Sequence, residues 1–314
     1  MSGLRTIPAR RAAVSCAALG AAWLALGGSA LAAHIIELKS PDDATAAIPA
    51  QPSPAPSPAP TAAVPKASDV STVASYAAAM AQGGLKGPRS VNLGGRASLA
   101  FGSNLVFVGQ PLLDAGIRAQ GGATFANVLG IITSENGPAA FRAVISASSD
   151  GYIKAMPGLT ASPDAALAAF REGRSAINAA MADHGFGAME FLAWRVPPTY
   201  DAKKHTLDWT MIEREAGGTE VFCRHHALLD RNGAVAVDFF VETLKAADVD
   251  KIAAALAGGL SSDPAHAYGA FNAAKDASAP YGLEGLVAGA DLKAPVFAPP
   301  KPKLPAPVLS STGG

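Results

Sequence analysis

Between Ser68 and Leu292 the apolar positions change their period several times, and each change marks an element. Ser90–Leu93, Ser98–Phe101 and Leu105–Val108 carry short apolar alternations divided by Gly and Asn, the pattern of strands. Pro111–Arg118 predicts a short helix, and Phe141–Ile153 a strand or hairpin interrupted at Asp150-Gly151. Ser162 then stands as an N-cap before Pro163, with Leu167, Phe170, Ile177 and Met181 at roughly helical spacing and a stop by Gly185. Upstream, the Ala-rich run Ala67–Gln82 predicts a further helix ended by Gly83-Gly84.

Met189–Glu242 is the clearest stretch. It predicts a strand, a break at Pro197-Pro198, a strand from His205, a turn at Gly217-Gly218, a strand from Thr219, a turn at Asn232-Gly233 and a strand from Ala234. Gly-Gly and Asn-Gly suit two-residue hairpin turns, whose central positions need positive φ. A closing helix follows over Ala246–Leu256, stopped by Gly258-Gly259. The fold class is therefore α+β: an antiparallel sheet whose C-terminal half is a meander flanked by helices.

Turn position sets register, and register sets faces. With Gly217-Gly218 central, Trp209 lies opposite His226 and Asp208 opposite Ala227. With Asn232-Gly233 central, His226 faces Phe239 and Ala227 faces Asp238. An apolar face then collects Leu207, Trp209, Met211, Phe222, His226, Leu228, Val235, Val237, Phe239 and Val241. The opposite face collects Asp208, Thr210, Cys223, His225, Asp238, Phe240 and Glu242.

On that second face His225 is flanked by Asp208 and Asp238. An imidazole between two carboxylates suits a divalent metal or acid–base catalysis in a hydrolase. The same residues are also what a solvated sheet face carries, so both readings stay open. Trp194 and Tyr200, flanking the Pro pair, suit either an aromatic groove for a peptide or glycan or a packed corner. Asp183-His184 suits contacts at a helix end. Gly-x-Ser-x-Gly, a P-loop, His-Glu-x-x-His and Cys-x-x-Cys are absent from the chain, and no cofactor is expected.

Composition narrows the class. The chain has 314 residues with 25 Lys+Arg against 25 Asp+Glu, so its net charge is zero and no nucleic-acid partner is expected. Two Cys among 314 residues exclude a disulfide scaffold. Of the 24 Pro, one group lies between Pro41 and Pro65, alternating with small residues over Pro52–Pro60, and another between Pro295 and Pro307, which favours extended, exposed spacers.

At the start, Arg5, Arg10 and Arg11 precede an apolar run from Ala12 to Leu26, and Ala30-x-Ala32 supplies the small residues a signal peptidase needs. The expected organisation is a signal peptide or signal-anchor (1–32), a Pro/Ala-rich linker (33–67), one α+β domain (68–292) and a Pro-rich tail (293–314). Export places the domain in the periplasm or facing it from the inner membrane, attached to a bilayer only through an uncleaved N-terminal segment. Removal of Cys16 with the signal would leave Cys223 alone, without an intrachain disulfide.

Several segments together resemble a bacterial family of uncharacterised, membrane-anchored exported proteins, domain of unknown function 2167. They are Ser90-Val-Asn-Leu-Gly94, Gly151-Tyr-Ile-Lys154, Trp194-Arg-Val-Pro-Pro-Thr-Tyr-Asp201, His205-x-Leu-x-Trp209, Leu228-Leu-x-Arg-x-Gly233 and Tyr281-Gly-Leu-x-x-Leu-Val-Ala-Gly289, in the family's order from Gly87 to Gly289. The resemblance implies an exported, membrane-associated protein without established catalytic residues. Two features depart from it: Ala155-Met156-Pro157 stands where family members are acidic, and Ala290-Asp291-Leu292-Lys293 where they carry a hydrophobic span. The element order also resembles the Mog1/PsbP-like α/β/α sandwich, a fold-level analogy only. The expected function is a non-enzymatic binding or structural module whose partner is an envelope protein or cell-wall component. The alternatives are the hydrolase using His225 with Asp208 and Asp238, and the peptide or glycan binder using Trp194 and Tyr200.

Overall fold

The structure, a computed structural model, describes residues 83–119, 123–134, 141–183, 189–214, 218, 220–242 and 246–297. The signal segment, the Pro-rich linker, the Ala-rich run before Gly83, most of the Pro-rich tail, and His184 lie outside the described residues. Strands β1 (Leu85–Lys86), β2 (Arg89–Leu93), β3 (Ala97–Phe101) and β4 (Leu105–Gly109) precede helix α1 (Gln110–Ala119). Next come β5 (Ala123–Thr124), β6 (Val128–Ser134), β7 (Phe141–Ser148), β8 (Tyr152–Lys154) and α2 (Pro163–Asp183). The meander is β9 (Glu190–Asp201), β10 (Thr206–Arg214), β11 (Glu220–Asp230) and β12 (Gly233–Glu242). The chain closes with α3 (Ala246–Gly259), β13 (Leu260–Ser262), β14 (Ser278–Gly282), α4 (Leu283–Val287) and β15 (Val296–Phe297).

Eight strands form one sheet in the order β1-β4-β6-β7-β12-β11-β10-β9, with every neighbouring pair antiparallel. The fold is thus α+β around an antiparallel sheet. Strands β2, β3 and β13 make a separate three-stranded sheet. Strand β9 runs through Pro197-Pro198 without the expected break. It is an edge strand, where a missing N–H is tolerated, and the cost shows as register shifts against β10.

Both sheet faces are buried over much of their area. On one, Val108, Ile131, Val144, Cys223 and Phe240 pack against Leu113 and Ile117 of α1 and Phe170, Ile177 and Met181 of α2. Farther along it, Leu207, Trp209, Ala227 and Leu229 pack against Leu283, Leu286 and Val287 of α4. On the other face, Phe107, Ile145, Val237, Phe239 and Val241 meet the three-stranded sheet through Val91 and Leu99, and α3 through Ala253 and Leu256. The cover on this second face thins beyond β12, where Phe222 and Leu228 of β11 are only partly buried, and leaves a groove along the β9–β11 end.

Local chemistry accounts for how α2 sits. Ser162 Oγ accepts the Ala165 N–H at 3.2 Å and caps its start. Gly173 lets the helix approach the turn after α4, because a Cβ there would overlap the Ala288 carbonyl oxygen.

Both turns differ from the positions expected. Arg214 pairs with Glu220, leaving residues 215–219, an odd number, for the first loop. That moves the register by one, so Trp209 faces His225, and Asp208 faces His226. The second turn spans Arg231-Asn232 between the paired Asp230 and Gly233. Asp230 sets it there by accepting the Asn232 N–H at 2.7 Å. This displacement changes register by two, so His225 stays on the same face as Asp238 and becomes its direct partner in place of Ala227. Trp209 and Phe239 therefore point to opposite sides of the sheet, and the expected grouping of faces is corrected accordingly.

Candidate functional site

The register correction divides the expected His225, Asp208 and Asp238 constellation. His225 and Asp238 share the face under α2 and α4, whereas Asp208 belongs to the other face. The two that remain together touch: the His225 Nδ1–H donates to Asp238 Oδ1 across 2.5 Å, and both residues are buried. A carboxylate only accepts, which fixes the proton on Nδ1 when the ring is neutral. Trp209 covers the imidazole, with ring centroids 3.8 Å apart.

Two residues that sequence reasoning passed over complete the cluster. Arg174 of α2, 2% exposed, lies over the Phe170 ring at 4.4 Å. Its signal was present: positions 170, 174, 177 and 181 form one helical stripe, so Arg174 is a charge placed within an apolar face. Asp291 follows α4 and carries a pKa pushed up to about 6, chiefly by burial, with Arg174 and His225 opposing the shift and Asp238 adding to it. Nothing in the sequence pattern after Gly289 distinguished Asp291 from a tail residue.

These groups line a cavity of about 20 Å³ with Asn127, Ser146 and Trp209. That is room on the scale of one water molecule. The arrangement therefore gathers charged groups of α2, the sheet and the segment after α4 around one small space, too small for an organic molecule. Among the described residues, no group of three or more His, Cys, Asp and Glu side chains is placed to hold a metal ion.

Asp208 instead accepts from His226 Nδ1 at 2.7 Å. Burial acts to raise its pKa, but the hydrogen bond and charge of His226, with Arg224 and His225, hold it below the usual carboxylate value. His226 is thus partnered on the half-covered face, away from His225. Trp194 and Tyr200 pack together with the Trp209 and Leu207 cluster. The Trp194 indole donates to the Pro163 carbonyl at 2.7 Å and meets Phe170 and Trp209 edge-on. Tyr200 Oη hydrogen-bonds His205 Nδ1 at 3.1 Å. The two rings form a packed corner.

The sheet's uncovered end holds a larger space. Between α3 and the β9–β11 end runs a groove of about 550 Å³. Phe222, Phe239 and Val241 form its floor, Ala253 and Ala254 of α3 one wall, and Val196 of β9 part of the other rim. Arg195, Arg224 and Lys251 line it alongside Asp208 and Asp250. The Arg195 guanidinium lies 4.3 Å above the Phe222 ring. Sequence reasoning missed this site because it depends on which parts of the sheet the helices leave bare.

No helix among the described residues is long and apolar enough to cross a membrane. No curated protein matches the chain. Among solved structures it is similar to the solution structure of cyanobacterial PsbP from Synechocystis sp. PCC 6803, at 9% identity and a TM-score of 0.37, covering 56% of this chain and 92% of that one. A family match described as "Protein of unknown function (DUF2167)" extends over residues 85–299 and takes in every element from β1 to β15, so the chain belongs to that family.

Proposed function

We propose that this protein is an exported, non-enzymatic binding module of the cell envelope, and that it binds through the groove between α3 and the β9–β11 end of the sheet. One contrast carries the reading. The ionisable groups best suited to chemistry, His225 and Asp238, line a space of about 20 Å³, while the open space of about 550 Å³ is floored by packed aromatic and aliphatic side chains. Its size matches ligand-binding clefts, which span roughly 300–1,000 Å³. Envelope location is supported by the basic and apolar N-terminal segment and by the Ala30-x-Ala32 site. Attachment to the inner membrane would come through that segment alone.

Two measurements test the reading. A photo-crosslinking residue at Val196, 48% exposed at the groove rim, is compared in cells with one at Met156, 71% exposed and outside the groove. An adduct with an envelope component from position 196 alone is expected; equal adducts, or none, reject the groove. Fractionation with N-terminal sequencing tests the address, and recovery in the cytoplasm with Met1 intact rejects export.

A further inference from the structure

We infer that the groove takes an anionic amphiphile, a single hydrocarbon chain ending in a carboxylate or phosphate; this rests on the groove being the binding site. Three observations lead there. First, the floor is apolar and aromatic along its length, with Phe222, Phe239 and Val241 lying between Val196 and the alanines of α3. Second, the strands beneath have no backbone to offer. β11 is bonded to β10 and β12, and β12 to β11 and β7, so an extended peptide laid here would lose hydration at its amides without gaining ladder bonds. A hydrocarbon chain carries no such groups and pays no such cost.

Third, the charges are unevenly committed. Of the two carboxylates in the lining, Asp208 is already held by His226 at 2.7 Å. Asp250 is exposed on α3 beside Lys251. Among the described residues, Arg195 lies over the Phe222 ring without a hydrogen bond or salt bridge, and Arg224 acts on Asp208 through its charge but likewise makes no hydrogen bond or salt bridge. Two guanidiniums therefore stand beside the apolar floor, Arg195 above Phe222 and Arg224 next to Phe239 in register, placed for a planar or tetrahedral oxyanion. A cationic or neutral head would forgo both.

The test is calorimetric titration of the full chain with dodecanoate, dodecyl phosphate, dodecanol and dodecyltrimethylammonium, each below its micelle concentration. Both anions are expected to bind at least tenfold more tightly than the other two, and the stronger of the pair identifies a carboxylate or a phosphate source. Arg224→Gln is expected to weaken anion binding about tenfold and leave dodecanol unchanged. Ala254→Trp, a change on the exposed side of α3, is expected to fill the groove and abolish binding. Dodecanol binding as tightly as dodecanoate overturns the ligand class while the groove stands. Anion binding undiminished in Ala254→Trp overturns the location. Absence of binding by all four probes overturns the inference, and the Val196 crosslink then decides separately whether the groove binds anything else.

Discussion

The Trp209 indole lies flat on the His225 imidazole, with planes 14° apart, because the two residues are register partners on neighbouring strands. Stacking fixes the ring plane from one side, and the bond to Asp238 fixes its rotation and tautomer. A histidine held this firmly, under the cover of α2 and α4, serves the packing of those helices on the sheet.

His225→Ala should therefore act on stability. It removes the donor from a buried carboxylate and uncovers one face of Trp209. A loss of roughly 3 kcal/mol is expected, in line with breaking a buried charge-assisted pair. Urea unfolding followed by Trp emission measures it. A variant as stable as the parent would show that the pair contributes nothing to the fold.

A second buried contact ties the three-stranded sheet to the large one. Arg96, between β2 and β3, reaches Asp230 through Nε and Nη2, each at 2.8 Å, and donates from Nη1 to the Ser148 carbonyl at 2.6 Å. Asp230 also holds the β11–β12 turn, so it serves two purposes at once. Asp230→Ala should cost roughly 3–5 kcal/mol, as expected for a buried ion pair deprived of one partner. Asp230→Asn, which keeps a turn acceptor, should cost less. Equal losses in the two variants, by chemical denaturation, would mean that only the charge matters.

The strands, the cap of α2 and the closing helix were legible because each has a local cause: alternation, Ser162-Pro163, and Gly after an apolar run. The His225–Asp238 pair was legible too, since the displaced second turn changes register by an even number. The position of Asp208 was not. It depends on whether the first loop is odd or even, and Gly217-Gly218 is compatible with both. Alternation could not arbitrate, because β12 is buried on both sides and has no polar face to mark. The groove was illegible for a different reason: it is defined by the extent of α3 and the small sheet, a property of tertiary packing.

Gly173 provides a test of the joint between α2 and the turn after α4. Gly173→Ala adds helix propensity but places a methyl group against the Ala288 carbonyl. Overpacking should outweigh propensity, giving a net loss of roughly 1–3 kcal/mol. Thermal unfolding reads this directly. A stabilised variant would show that the turn moves away at little cost.

Two carboxylates give opposite dependences on pH. Asp291 has a folded pKa raised by burial to about 6 from the ordinary aspartate value of 3.8, so the folded state holds its proton more tightly than the unfolded chain does. Its contribution is fully present below the unfolded value and is lost as pH rises through about 6. Asp208 is shifted down by His226 despite its burial, so its contribution is present above the unfolded value and is lost as pH falls through the lower, folded one. Asp291→Asn should thus gain on the parent as pH climbs from about 4 to about 6, and then hold a constant advantage. Asp208→Asn should trail the parent at neutral pH and approach it in acid. Urea midpoints for the three proteins across this range decide the matter. If Asp291→Asn ran parallel to the parent throughout, the carboxyl would have the same affinity for its proton in both states. The attraction of Arg174 and His225 would then be offsetting the cost of burial in full, and Asp291 would carry its charge in the folded protein wherever an ordinary aspartate does.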